Sequence, residues 1–138
     1  MPTDVTGETT KQAKAGMAKG SEDADGKRKY GATFACHNAT RLQWNQVQIK
    51  ITGFKAGNSV KVQLYEVDAE GKPGSLIKES DEPPDQNGEA TFNLDLSDNP
   101  IDADEVFLIT IAHQPAKEKE VEYTVTIQPG DENGVPIS

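Results

Sequence analysis

The chain has little of what most catalytic or membrane proteins depend on. Its 138 residues contain one cysteine, one tryptophan, two histidines and few aromatics of any kind. A single cysteine, Cys36, excludes an intrachain disulfide, so stability must come from packing. Two isolated histidines, His37 and His113, lack the close spacing of a zinc site and read as surface or loop-packing residues. Cys36 and His37 are neighbours, but adjacent residues of a strand point to opposite faces, and no third group orients them as a nucleophile pair. Cys36 instead reads as a small core residue. No apolar run reaches the roughly 18 residues of a membrane helix, and the start Met-Pro-Thr-Asp carries no apolar leader. The expectation is a protein made in the cytoplasm without a signal peptide, with a place in a virion or released particle left open. Asn38-Ala39-Thr40 matches a glycosylation sequon and, without a leader, reads as a turn.

Positive charge is scarce as well. The formal net charge is −9, and it is unevenly placed. Residues 1–30 hold six Lys or Arg against five acids, whereas the remaining 108 residues hold 18 acids and eight bases. A surface of that sign repels phosphate, so nucleic-acid and anionic-membrane partners are disfavoured.

What is present is alternation. From Val60 to Ile127 apolar and polar residues repeat with a period of two, the pattern of a sheet with one dry and one wet face. Seven strands are predicted: Tyr30–Cys36, Leu42–Phe54, Val60–Leu64, Leu76–Lys78, Ala90–Leu96, Val106–Ala112 and Val121–Ile127. A parity change between Leu42/Trp44 and Val47/Ile49/Ile51 predicts a break near Asn45-Gln46. Val106 to Ala112, apolar on both parities, predicts a central strand covered on both sides. Asp68 to Lys72 and Pro83 to Gly88 are turns. Short strands with turn chemistry and no helical period give an all-β fold, an immunoglobulin-like antiparallel β-sandwich of about seven strands; a jelly roll or transthyretin-like sandwich shows the same pattern. Residues 30–130 form this domain, and residues 131–138 a C-terminal tail.

Residues 1–29 are mostly Thr, Gly, Ala, Lys and acid, with only Val5 and Met17 as large apolar side chains after Met1. Such a segment buries too little surface to offset its chain entropy, so the expectation is a flexible N-terminal arm that orders on a neighbouring subunit. Val5, Met17 and the basic run Lys27, Arg28 and Lys29 are its candidate partner contacts.

The acids near Asn99-Pro100 make Asp98, Asp102 and Asp104 a candidate calcium loop, although the regular Asp-x-Asp-x-Asp-Gly order is missing and a solvated loop is the favoured reading. Trp44 is the candidate sugar platform, against the commoner role of a buried structural Trp. No nucleophile, acid–base pair or metal set can be assembled, so no catalytic residue, enzyme activity or cofactor is expected.

The segment Gly53-Phe54-Lys55-Ala56-Gly57-Asn58-Ser59-Val60-Lys61-Val62-Gln63-Leu64-Tyr65-Glu66-Val67-Asp68, with Asn87-Gly88-Glu89-Ala90-Thr91-Phe92 and Glu105-Val106-Phe107-Leu108, resembles the immunoglobulin-like modules attached to phage structural proteins and to the spikes of bacterial contractile injection machines. The resemblance covers roughly residues 47–112 and implies a structural or docking role with no catalytic residues. The leading expectation is therefore an accessory or decoration subunit of such a particle, partnered by other protein subunits in a larger assembly or homo-oligomer. The alternative is a carbohydrate-binding or adhesion module, with calcium assisting.

Overall fold

The computed structural model describes residues 1–22, 28–54, 59–114 and 120–137, with side-chain placement omitted for 15–22, 28–29, 114 and 120. Nine strands and no helix make up the described chain: β1 (Thr3–Val5), β2 (Thr9–Glu22), β3 (Arg28–Asn38), β4 (Gln46–Thr52), β5 (Ser59–Val67), β6 (Pro73–Glu82), β7 (Glu89–Asp95), β8 (Val106–Gln114) and β9 (Glu120–Gly130). The seven from β3 onward correspond to the seven expected from alternation. The break before β4 is also present, because Trp44 leaves the strand to bridge Ile101.

One sheet has the order β2-β9-β4-β7 and the other β3-β8-β5-β6, with β1 added in parallel along β3. Strand β2 joins them: Thr9 to Gly16 pairs with β9, and Gly16, Met17 and Glu22 pair antiparallel with Gly31, Tyr30 and Arg28 of β3. The antiparallel sandwich is as expected, and the order of its strands selects the jelly roll over the immunoglobulin-like arrangement.

Alternation builds the core from both sheets. Val47, Ile49 and Ile51 of β4 face inward beside Tyr123, Val125 and Ile127 of β9 and Ala90, Phe92 and Leu94 of β7. Opposite them lie Phe107, Ile109 and Ile111 of β8, Val60, Val62 and Leu64 of β5, and Ala32 and Cys36 of β3. Each Val, Ile, Leu or Phe among them contributes about 1.5–3 kcal/mol by leaving water. β8 is central, but its outer face is covered only in part: Leu108 is buried and Ala112 exposed.

The start of the chain departs from its expected role as a free arm. Val5 is fully buried in this chain's own core, and its carbonyl accepts the Ala39 N–H at 3.1 Å. Residues 9–16 run antiparallel to β9, from Thr9 opposite Ile127 to Gly16 opposite Glu120. Backbone pairing with β9 along one edge holds this stretch, so its order does not rest on apolar side chains alone. Lys11 and Ala13 take the inward positions, and the Lys11 ammonium donates to Thr3 Oγ1 at 2.7 Å while standing 5.1 Å over the Phe34 ring. The boundary expected at residue 30 falls inside β3, which starts at Arg28. The tail is corrected too: Ile137 is buried in the core cluster.

Candidate functional site

The outer face of the β2-β9-β4-β7 sheet is polar, with amides and hydroxyls interspersed with the charged Lys14, Lys50, Glu89, Asp95 and Glu122. Pairing aligns its side chains in rows across the strands: Gln128, Gln48 and Asn93; Thr126, Lys50 and Thr91; Thr124, Thr52 and Glu89. On β2, Thr10 continues the second row and Gln12 the third. Gln48 Nε2 donates to Asn93 Oδ1 at 2.9 Å, and Thr124 Oγ1 donates to Gln12 Oε1 at 3.2 Å.

At the end of this face the sheet holds a groove of about 320 Å³. Its floor carries Gln46, Gln48, Asn93, Asp95 and Gln128, and Gly134 and Pro136 form a wall. The wall follows from local chemistry. Asp131 Oδ1 accepts the N–H groups of Asn133 and Val135 at 2.8 and 3.0 Å, and Gly134 donates to the Asp131 carbonyl at 3.0 Å. The turn closes with Gly134 at φ +77°, a conformation glycine adopts without a steric penalty. A Cβ on Gly134 would sit 3.4 Å from both terminal atoms of the Gln46 amide, so the turn packs directly against that glutamine. Ile137 N–H donates to the Pro129 carbonyl at 2.9 Å, and Gln128 Nε2 donates to the Ile137 carbonyl at 2.9 Å, tying the returning chain to β9.

Asp95 is the one charged group in the lining. Hydrogen bonds from the Ser97 hydroxyl and then the Ser97 N–H hold its carboxyl below the usual carboxylate range, so it is ionised at neutral pH. Planar amides offering both donors and acceptors, beside one carboxylate, suit a ligand rich in hydroxyls.

The residues singled out from sequence lie elsewhere. Trp44 is fully buried, donates its indole N–H to Thr40 Oγ1 at 3.1 Å and meets the Phe107 ring edge-on, so it offers no sugar platform. Asp102 and Asp104 are engaged separately, by Gln43 Nε2 at 2.9 Å and by His37 Nε2 at 2.8 Å, and Asp98 joins neither. Among the described residues no group of three or more His, Cys, Asp or Glu is placed to hold a metal ion. Val5 belongs to the core, which removes it as a partner contact. Lys27 lies outside the described residues, as do the side chains of Met17, Arg28 and Lys29.

The reactive side chains are occupied. Burial pushes the Cys36 thiol up to about 12, against a smaller downward pull from Lys11, so no thiolate forms near neutral pH. His37 joins two carboxylates, Asp4 at 2.9 Å and Asp104 at 2.8 Å. His113, read as a surface or loop-packing residue, is buried: it stacks on Tyr30, meets Phe54 edge-on and hydrogen-bonds the Tyr123 hydroxyl. Asn38 is also buried, and its side-chain amide uses both ends, donating to the Leu42 and Asp102 carbonyls and accepting from Thr40. The sequon is thus a structural turn, as read.

Sequence reasoning missed the amide groove. Its signal was the outward parity of β4, β7 and β9, where Gln46, Gln48, Asn93 and Gln128 alternate with core residues.

No protein-family model and no curated protein matches the chain. Among solved structures it is similar to a carbohydrate-binding module of the β-sandwich superfamily described for promiscuous specificity, with 11% identity over 88% of this chain and a TM-score of 0.49. The chain spans 55% of the length of that protein. It is also similar to a family 6 carbohydrate-binding module, with 10% identity, 91% and 94% of the two chains covered and a TM-score of 0.44. A family 11 carbohydrate-binding module from Clostridium thermocellum gives 14% identity, 89% and 88% coverage and a TM-score of 0.44. Likenesses at this level assign no ligand to this chain.

Proposed function

We propose that the protein is a non-enzymatic binding module whose groove recognises a hydroxyl-rich ligand, a carbohydrate. The observation carrying this reading is the convergence of Gln46, Gln48, Asn93, Gln128 and Asp95 on one groove of about 320 Å³, with no nucleophile or acid–base pair in its lining. Each amide can donate to and accept from adjacent hydroxyls, and a sheet floor holds the set in fixed register. Hydrogen bonds of this kind contribute about 0.5–1.5 kcal/mol each, so the expected binding is weak and enthalpic, without aromatic stacking. Titration calorimetry with soluble neutral oligosaccharides tests it. The double variant Gln48→Ala/Asn93→Ala is expected to weaken binding by about tenfold or more, equivalent to about 1.4 kcal/mol. Absence of binding across the glycan panel, or binding that the double variant leaves intact, overturns the reading.

A second reading, an interaction or structural subunit, is supported by an uncovered strand at the margin of the same sheet. The version in which a free N-terminal arm wraps a neighbour loses its physical basis once β1 and β2 lie in this chain's own sheets.

A further inference from the structure

We propose that the outer edge of β7 is a strand-addition site for an extended, basic-flanked segment of another protein. β7 ends the order of its sheet, and among the described residues no strand pairs with its far side. The direction of its backbone groups follows from the pairing. Leu96 N–H donates to the Asn45 carbonyl at 2.8 Å, so residues of that parity, Leu94, Phe92 and Ala90, bond inward to β4. The N–H and C=O groups of Thr91, Asn93 and Asp95 therefore point away from the sheet. One residue earlier in that parity, Glu89 is already engaged, donating to Asp85 Oδ1 at 3.0 Å and accepting the Asp85 N–H at 2.8 Å. The open stretch is thus Thr91 to Asp95, with three donors and three acceptors.

Exposed edges are ordinarily blunted by charge, proline, bulges or brevity. β6, the edge of the other sheet, is blunted: its pairing with β5 shifts register twice, and it carries Lys78, Glu79, Asp81 and Glu82. β1 is only three residues long. β7 has none of these devices between Ala90 and Leu94: it pairs with β4 in unbroken register over seven residues, with charge only at Glu89 and Asp95. An edge left regular and uncharged at its centre is a template for an incoming strand.

Charge selects the occupant. From Glu79 to Ala116 the chain holds ten acids and no Lys or Arg. Glu89 and Asp95 bracket the open stretch, so an incoming strand with a basic residue at each end meets an acid at each end. A second copy fits poorly. Two β7 edges paired about Asn93 would set Glu89 diagonally against Asp95 of the other copy, twice, and bring the two acidic segments together. The side chains of an added strand on the outer face would stand beside Asn93 and Asp95 and extend the groove laterally. Strand addition does not require a ligand in that groove.

The test is amide hydrogen exchange by NMR on the full chain with an acetylated, amidated heptapeptide KTVTVTK as probe and ETVTVTE as control. Expected is slowing of exchange at Thr91, Asn93 and Asp95 by about tenfold or more with the basic peptide, little with the acidic one, and loss of the effect near 1 M salt, where the screening length is about 3 Å. Asn93→Pro removes one outward N–H and Thr91→Lys places a charge on the edge; each is expected to abolish protection. An unchanged melting temperature and buried-Trp44 emission show that either variant is folded. Unchanged exchange at these three amides with saturating basic peptide overturns the proposal. Protection confined to β6 does so too, as does β7 protection without peptide in a protein of doubled solution mass, which would make a second copy the occupant.

Discussion

His37 lies between Asp4 of β1 and Asp104 of the turn before β8, with one ring nitrogen within hydrogen-bond distance of each carboxylate. Both nitrogens can donate only when the ring is protonated, and the hydrogen bonds to Asp4 and then Asp104 raise its pKa above 6.5. The stabilisation is therefore fully present below the unfolded value and is lost as pH rises through the folded one. The melting temperature is expected to fall across that window, and His37→Ala to remove this component; a difference between the two proteins that does not vary with pH would refute the assignment. Cys36 behaves oppositely in kind: with its thiol pushed up to about 12, native protein is expected to resist alkylation until it is unfolded, as mass spectrometry can follow. Turn chemistry is the third theme at this scale. Asp68, Asp85 and Asp131 each accept N–H groups two and four residues on, and Gly71, Gly88 and Gly134 each donate to that Asp carbonyl with φ near +80°. Substituting Gly88 by Ala adds left-handed strain of about 1–2 kcal/mol, and its Cβ would also meet the Phe54 carbonyl, so thermal melting should show a clear loss.

Strands whose inward positions are Val, Ile, Leu or Phe were legible in the sequence, and β4, β5, β7, β8 and β9 lie where alternation puts them. β2 was not. Its inward positions include Lys11 and Ala13, which carry no apolar rhythm, and backbone pairing with β9 together with the Lys11 contact to Thr3 holds it in place. β6 is longer than its apolar residues Leu76 and Ile77 indicate, because an edge strand can be almost wholly exposed and still pair on one side. The groove was legible only as parity, since an outward Gln on a strand has no signature apart from its alternate neighbours. Packing at this scale is expected to be unforgiving. Phe92→Ala, central on β7 and fully buried, should cost about 3–5 kcal/mol by denaturant titration, whereas Asn93→Ala, one residue on and facing water, should cost about 0.5 kcal/mol or less.

Over the whole molecule, the strand order places the first long strand against the last: Thr9 sits opposite Ile127 and Ala15 opposite Val121. Fold class followed from alternation alone, but this order did not, because strand pairing across more than a hundred residues leaves no mark on local sequence. Pairings of such separation carry a large loop-closure cost before they are rewarded, so refolding is expected in the millisecond-to-second range, measurable by stopped-flow fluorescence of Trp44. The same arrangement bears on how the protein is made. β9 separates β2 from the β4-β7 pair, so nothing joins the two parts of that sheet until β9 has been synthesised. A nascent chain halted before Glu120 would have one sheet missing its centre, and the domain can complete its fold only after the last strand has cleared the ribosome.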